Sequence, residues 1–328
     1  MQNYRSSNTT AIGYLSRPLN EKILLVQVLV GIFLYVNFLM IFTFLKKEAF
    51  RTDTRYVLFA QTLFMDSFLM LLTDLVLTGN YFQFPIPWIP CCALCFLMSW
   101  LSIGTPLTLV AMCLERYVAI CMPLRHADIS SPRNQRRGLV VIWVVSTLIP
   151  MFALVSFLSL VPPAFLLTYV VCSVELMQVQ TWVNEVRKAL LLMYFVLMFS
   201  VIVFTYIAIL KAARTASSDN KKSTHKGLRT VILHTFQLLL CLTQFVCPFV
   251  EMAMLKIDFM LFINVRYSNF IVFFIAPRCL SPLIYGLRDE KFYVVLRRYA
   301  SFGLDAVVFT LPTAEKKKLR CQARTTPL

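Results

Sequence analysis

The sequence predicts an all-α membrane protein: a seven-transmembrane helix bundle with a short amphipathic cytoplasmic helix after the seventh span. Three observations carry this. Hydrophobic residues make up 59% of the 328 and charged residues only 15%, against about half and a quarter in globular chains. The apolar residues are clumped, with 40 uncharged residues between Asp74 and Glu115. The Lys and Arg residues fall between apolar runs and alternate in number from one gap to the next. A soluble fold of this length leaves roughly a quarter of its chain surface wet and could not hide so much apolar area. Soluble enzyme classes are excluded.

A bilayer core takes about 20 residues of helix, and seven runs meet that length. The first, 23–45, is uncharged from Ile23 to Leu45 and stops at Lys46-Lys47. The second, 56–79, carries Asp66 and Asp74, and the third, 91–120, ends in Glu115-Arg116-Tyr117. The fourth, 138–160, holds Trp143 and Pro150; the fifth, 189–210, is uncharged. The sixth, 230–250, holds His234 and Pro248, and the seventh, 263–285, holds Arg278 and Pro282. The stretch 161–171 follows Pro162-Pro163, is too short to span, and is assigned to an extracellular loop.

Beyond the seventh span, Phe292, Val295, Leu296 and Tyr299 stand at i, i+3, i+4 and i+7 among Arg and Lys. That pattern suits a helix lying in the cytoplasmic interface over 286–300. Residues 1–22 form a polar N-terminus and 301–328 a basic tail, with Glu315 to Arg320 facing anionic lipid. Cys321 lies far past the interfacial helix, a poor place for a lipid anchor.

Orientation follows from the basic residues. Counting Arg116 and Arg266 with the sides on which their span ends lie, the gaps after spans 1, 3 and 5 and the tail carry 24 Lys and Arg, and the opposite side carries seven. The N-terminus is therefore expected outside and the C-terminus inside, at the plasma membrane. The first apolar run is longer than a cleavable signal's, so span 1 is read as a signal anchor. Asn8-Thr9-Thr10 is then a glycosylation sequon on the outer side. A net charge of +16 would elsewhere suggest nucleic acid, but the basic residues are spread between spans and none is expected to bind it. The three histidines are far apart, and neither a metal site nor a cofactor site is expected.

The run Met112-Cys113-Leu114-Glu115-Arg116-Tyr117-Val118-Ala119-Ile120-Cys121-Met122-Pro123-Leu124-Arg125-His126 closes span 3. It resembles the MAYDRYVAICxPLxY signature of olfactory receptors, within the rhodopsin-like G-protein-coupled receptors. The run Ser281-Pro282-Leu283-Ile284-Tyr285-Gly286-Leu287-Arg288-Asp289-Glu290 resembles that family's NPxIYSLRNKE. Asn37, Asp66, Trp143 and Tyr206 agree with its anchors, the likeness covers about 20–300, and its flavour is closest to fish-type odorant receptors.

The resemblance implies a receptor without covalent chemistry, for which a small-molecule odorant and a heterotrimeric G protein of the olfactory, cAMP-raising type are the partners. Glu115, Arg116, Tyr117, Tyr206, Pro282 and Tyr285 become the coupling and switch residues. By their chemistry alone, Glu115 and Arg116 make an internal ion pair whose release frees Arg116, a two-state element. The family also joins Cys91 to Cys172, a bridge that the oxidising secretory route allows, with Cys92 and Cys95 as near competitors.

Family ligands enter the outer half of the bundle. Met98, Ser99 and Ser102 on span 3 would line such a pocket, with Gln244, Phe245, Tyr267 and Ile271 opposite. Met98 stands where amine receptors keep an Asp, and Ile275 where opsins keep the retinal lysine, so neither chemistry is supported. Span 6 reads Leu-Leu-Cys-Leu-Thr-Gln-Phe over 239–245 and lacks the family's aromatic toggle.

The intramembrane polar set is Asn37, Asp66, Thr105, Arg278 and Ser281; at all of these but Arg278 the family commonly surrounds a sodium ion. A lone Arg at membrane depth costs at least about 2.5 kcal/mol. Asp66 is the carboxylate expected at Arg278's depth, with Asp74 about two turns further out. An Asp66–Arg278 pair is therefore expected, taking the place of sodium; the alternative is that Arg278 points outward to loop carbonyls or Asp74. Two other classes compete with the receptor. A transporter or channel would use Asp66, Asp74 and Arg278 as a charge pathway, although the chain shows no internal repeat. An intramembrane hydrolase would need clustered His and carboxylates, and His234 is the one histidine in a span.

Overall fold

Each apolar run becomes a helix because a backbone in lipid must satisfy its own polar groups. The computed structural model describes residues 21–173, 180–215 and 253–280, scattered positions between 232 and 251, and Val295 and Leu296. Among these, six helices are long and apolar enough to cross a membrane. They are Glu21–Lys46, Thr54–Tyr81, Trp88–Cys121, Pro132–Leu160, Thr181–Ala212 and Met260–Leu280. A shorter apolar helix, Leu242–Leu255, supplies the sixth span in chain order. Together they are the seven-helix bundle that the sequence predicts.

Local chemistry fixes the helix ends. Glu21 in the first turn and Lys46 in the last complement the dipole of the first helix. The Asp53 carboxylate accepts from the Arg55 N–H and caps the second. The first span exposes Leu24, Val28, Ile32, Tyr35 and Phe38 while burying Val26, Val30, Phe33, Asn37 and Met40. It is apolar on both faces, one toward lipid and one toward its neighbours.

The third span is the axis of the bundle, packing against the second, fourth and fifth. Against span 2, Gly104 packs on the Met65 side chain, whose methyl a Cβ there would push aside. Toward span 4, the indole N–H of Trp100 donates to the Trp143 carbonyl at 3.3 Å, and the two rings meet edge to face. Leu63, Leu109, Met112, Ile149, Met198, Ile202 and Leu242 form the main core cluster. Val295 and Leu296, the described part of the expected interfacial helix, pack against it.

The end of the bundle at the start of span 3 is closed by a small antiparallel ribbon. β1, Pro85–Pro87, precedes span 3, and β2, Tyr169–Val171, follows a 3-10 turn at Pro163–Leu167. Ile86 stands opposite Val170. Trp88 stacks on Phe157 and packs against Phe165 beneath the ribbon. The Cys91–Cys172 disulfide ties β2's end to span 3.

Cys92 and Cys95 stand at C-x-x-C spacing but lie in different surroundings. Cys92 packs with Trp88 and Phe157, and Cys95 with the disulfide. Cys91, Cys95 and Cys172 cluster closely enough for a metal, but two of those sulfurs are bonded to each other.

The Cys95 thiol lies 3.9 Å from the Cys172 sulfur, which makes the two disulfide knockouts unequal. Cys172→Ser should lose the whole crosslink, typically about 2–4 kcal/mol. Cys91→Ser should retain most of it through a Cys95–Cys172 bridge. Peptide mapping and thermal unfolding of both variants check this, and equal losses with Cys95 still reduced would refute it.

Candidate functional site

Two polar constellations lie along the bundle axis, one beneath the ribbon and one at the far end of span 3. Beneath the ribbon is a cavity of about 600 Å³ walled by spans 1, 2, 3, 6 and 7. Its wall is mainly apolar, with Leu69, Met98, Phe262, Phe270 and Phe274. Lys22 and Arg266 are the charged side chains among its described lining residues. At the mouth the Lys22 ammonium donates to Asn264 Oδ1 at 2.9 Å and sits 5.3 Å over the Tyr267 ring, joining spans 1 and 7.

Of the expected pocket residues, Met98, Ser99, Ser102, Gln244 and Tyr267 line this cavity. Phe245 lies outside the described residues. Ile271 is not among the lining residues of this cavity. The facing stripe of span 7 runs Ile263, Arg266, Phe270, Phe274 at helical spacing. Ile271, one residue past Phe270, turns beyond its edge.

The floor of the cavity continues as a chain of polar contacts into the bundle. Gln244 Nε2 donates to Ser102 Oγ at 2.9 Å. Its Oε1 accepts from an Arg278 guanidinium nitrogen at 3.3 Å. Arg278 Nε lies 3.5 Å from Asp66 Oδ1, and Thr105 Oγ1 donates to the same oxygen at 2.9 Å. Arg278 and Asp66 are 2% and 1% exposed.

The guanidinium is further held by donating to the Phe274 carbonyl and by lying 3.9 Å from the Phe274 ring centroid. Asp74 is not its partner: that carboxylate accepts from Gln27 at 2.5 Å. Asn37 donates to Ser67 at 2.9 Å, a link between spans 1 and 2. Ser281 lies outside the described residues.

Span 7 prepares Arg278 locally. Residues Phe270–Ile275 form a π-helical turn within the span, a distortion found mainly at functional positions. Helical periodicity does not disclose it, and it is one thing the sequence reading missed.

At the far end of span 3, Arg116 Nε lies 3.0 Å from Glu115 Oε2. His126 Nε2 lies 3.4 Å from Glu115 Oε1, and Ser130 Oγ is 3.3 Å from the same nitrogen. Glu115 is thus shared by two bases. His126 was missed as a partner, although it replaces the Tyr that closes the olfactory signature. Tyr117 packs against Phe204 of span 5, with ring centroids 5.7 Å apart. Tyr206 is half-buried on the same span. Pro282, Tyr285 and Asn8 lie outside the described residues.

Residues 36–285 match the family described as 7 transmembrane receptor (rhodopsin family). The chain is 55% identical over 301 residues to odorant receptor 131-2 of Danio rerio, covering 91% of this chain and 92% of that protein. It is 26% identical over 299 residues to olfactory receptor 4N5 of Homo sapiens, covering 85% and 91% respectively. Olfactory receptor 4N4C of Homo sapiens is also 26% identical, over 309 residues, covering 85% and 88%.

The buried pair yields a charge-swap test. Removing one partner of such a pair typically costs about 3–5 kcal/mol, because a charge is left uncompensated. Arg278→Asp should therefore abolish surface delivery, and adding Asp66→Arg should restore part of it. Surface labelling reads the outcome, and a double variant no better than the single one would reject direct pairing.

Proposed function

Since the chain belongs to the rhodopsin family of seven-transmembrane receptors, and within it to the odorant receptors, we propose that it is a chemosensory receptor. A small molecule binds in the cavity beneath the ribbon and shifts the bundle toward a state that activates a heterotrimeric G protein. The carrying observation is the cavity itself. Its volume, apolar wall and few convergent polar groups are those of a small-molecule site, and its floor is wired to the buried ion pair.

The cavity's chemistry narrows the ligand. Its charged described lining residues are both basic, and Met98 occupies the position where amine receptors keep a carboxylate. The best ligand is a neutral or anionic amphipath, not a protonated amine.

In this reading the N-terminus, residues 1–22, is extracellular, with Asn8 available for glycosylation. The C-terminus is cytoplasmic, as the distribution of basic residues supports. Residues 286–300 lie in the inner interface, and 301–328 meet anionic lipid. The G protein, of the olfactory stimulatory type, engages the Glu115–Arg116 end. Leaving Glu115 exposes the Arg116 guanidinium to the partner, and Glu115 keeps His126 as a second base. Tyr117, Tyr206, Pro282 and Tyr285 complete the switch.

The transporter reading draws no support from the geometry. Asp66 and Arg278 face each other and Asp74 faces Gln27, so the supposed pathway charges are engaged in local contacts.

Arg116→Ala should leave the protein folded and at the cell surface. It should reduce ligand-driven cAMP by about tenfold or more, within the span of a 1–3 kcal/mol coupling. The measurement is a cAMP assay over a panel of neutral, anionic and amine ligands, normalised to surface receptor. An undiminished response in the variant would reject the role of Arg116, and a panel answered best by amines would reject the ligand class.

A further inference from the structure

The polar chain at the cavity floor has an asymmetry that points to a switch. Among the described residues of span 6, Gln244 reaches both neighbouring walls. Its amide N–H donates to Ser102 of span 3, and its carbonyl accepts from Arg278 of span 7. A guanidinium can only donate and a carbonyl can only accept, so the orientation of this amide is dictated by its surroundings. One flat group therefore holds span 6 to two other spans at once. Gln244 and Ser102 also line the cavity, within reach of a bound molecule, whereas Arg278 lies beneath them and is not among the lining residues.

We propose that Gln244 is the switch residue of span 6, converting occupancy of the cavity into release of span 6 from spans 3 and 7. It takes the place of the aromatic toggle that this sequence lacks. The inference rests on the receptor reading above. A ligand that presents a hydrogen-bonding group to the floor competes for the Gln244 amide. Turning the amide toward the ligand breaks its bond to Ser102 and removes an acceptor from Arg278. The guanidinium remains held by Asp66 and by the Phe274 carbonyl, on spans 2 and 7. The bundle thus stays assembled on that side while span 6 loses its hold at the cavity floor, and the Asn269–Glu251 hydrogen bond still joins it to span 7 further along. Both floor links pass through one group, so they are lost together, which gives a two-state response.

Gln244 acts through its neighbours and is a positioning residue, and the test separates that role from mere packing. Two near-isosteric variants change the tether in opposite directions. Gln244→Leu removes both links. Gln244→Glu puts a carboxylate beside Arg278 and can accept from the Ser102 hydroxyl, tightening the tether. Ligand-free cAMP per surface receptor is the readout, and no ligand need be known.

Gln244→Leu should raise basal signalling at least about threefold, through a shifted resting equilibrium, while Gln244→Glu should hold it at or below wild type. Adding Arg116→Ala to Gln244→Leu should return the signal to background. A basal signal in Gln244→Leu within about twofold of wild type, at equal surface level, would overturn the switch. Leu and Glu variants moving in the same direction would also overturn it, because that is what a packing role produces.

Thermal unfolding of the purified full-length chain locates any failure. A Ser102→Ala and Gln244→Leu cycle that is non-additive shows the direct link. Non-additivity with no cAMP change in any variant overturns the switch by way of the coupling reading, while an additive cycle overturns the tether itself.

Discussion

A guanidinium at membrane depth must be answered by the protein, because lipid offers it nothing. Arg278 is answered from three directions: by the Asp66 carboxylate, by the Gln244 amide, and by the carbonyl and ring of Phe274. Each answer comes with a structural commitment. Asp66 must stay at the depth of Arg278, so span 2 is fixed against span 7. Thr105 donates to the same carboxylate and brings span 3 into that arrangement. Gln244 extends it to span 6. Gly104 of span 3 packs on Met65 of span 2, the neighbours in sequence of Thr105 and Asp66.

The two ends of the bundle are built on opposite principles. The ribbon end is crosslinked, with a disulfide, a paired pair of strands and a buried Trp88, so its shape resists change. The Glu115 end is held by a carboxylate that two side chains share, since Glu115 faces both Arg116 and His126. In the proposed function, the fixed end serves recognition and the Glu115 end serves the response. The polar chain from Ser102 to Asp66 lies between them, in the low-dielectric interior where such contacts are strong when made and costly when broken.

Much of this was legible in the sequence because lipid imposes simple rules. Span lengths follow from bilayer thickness, and the depth of Asp66 against Arg278 follows from counting turns. Cysteine pairing followed from the family resemblance, although the nearness of Cys95 to Cys172 required the fold. Span 6 was least legible. Its central run is apolar nearly all round, so no amphipathic face gives its rotation, and Gln244 could be placed in the cavity but not against Arg278. The Pro85–Pro87 strand was hidden because its partner lies more than 80 residues away and two of its three residues are proline.

The π turn at Phe270–Ile275 has a consequence for span 7. A wide turn accommodates one residue more than an α-helical turn of similar rise. Tightening it to ordinary α geometry would rotate everything beyond Ile275 by about 100° relative to the cavity-facing residues before it. Arg278 sits three residues past Ile275 and would be carried away from Asp66 by such a rotation. The π turn therefore sets the angular offset that brings Arg278 onto Asp66 while the residues before it face the cavity.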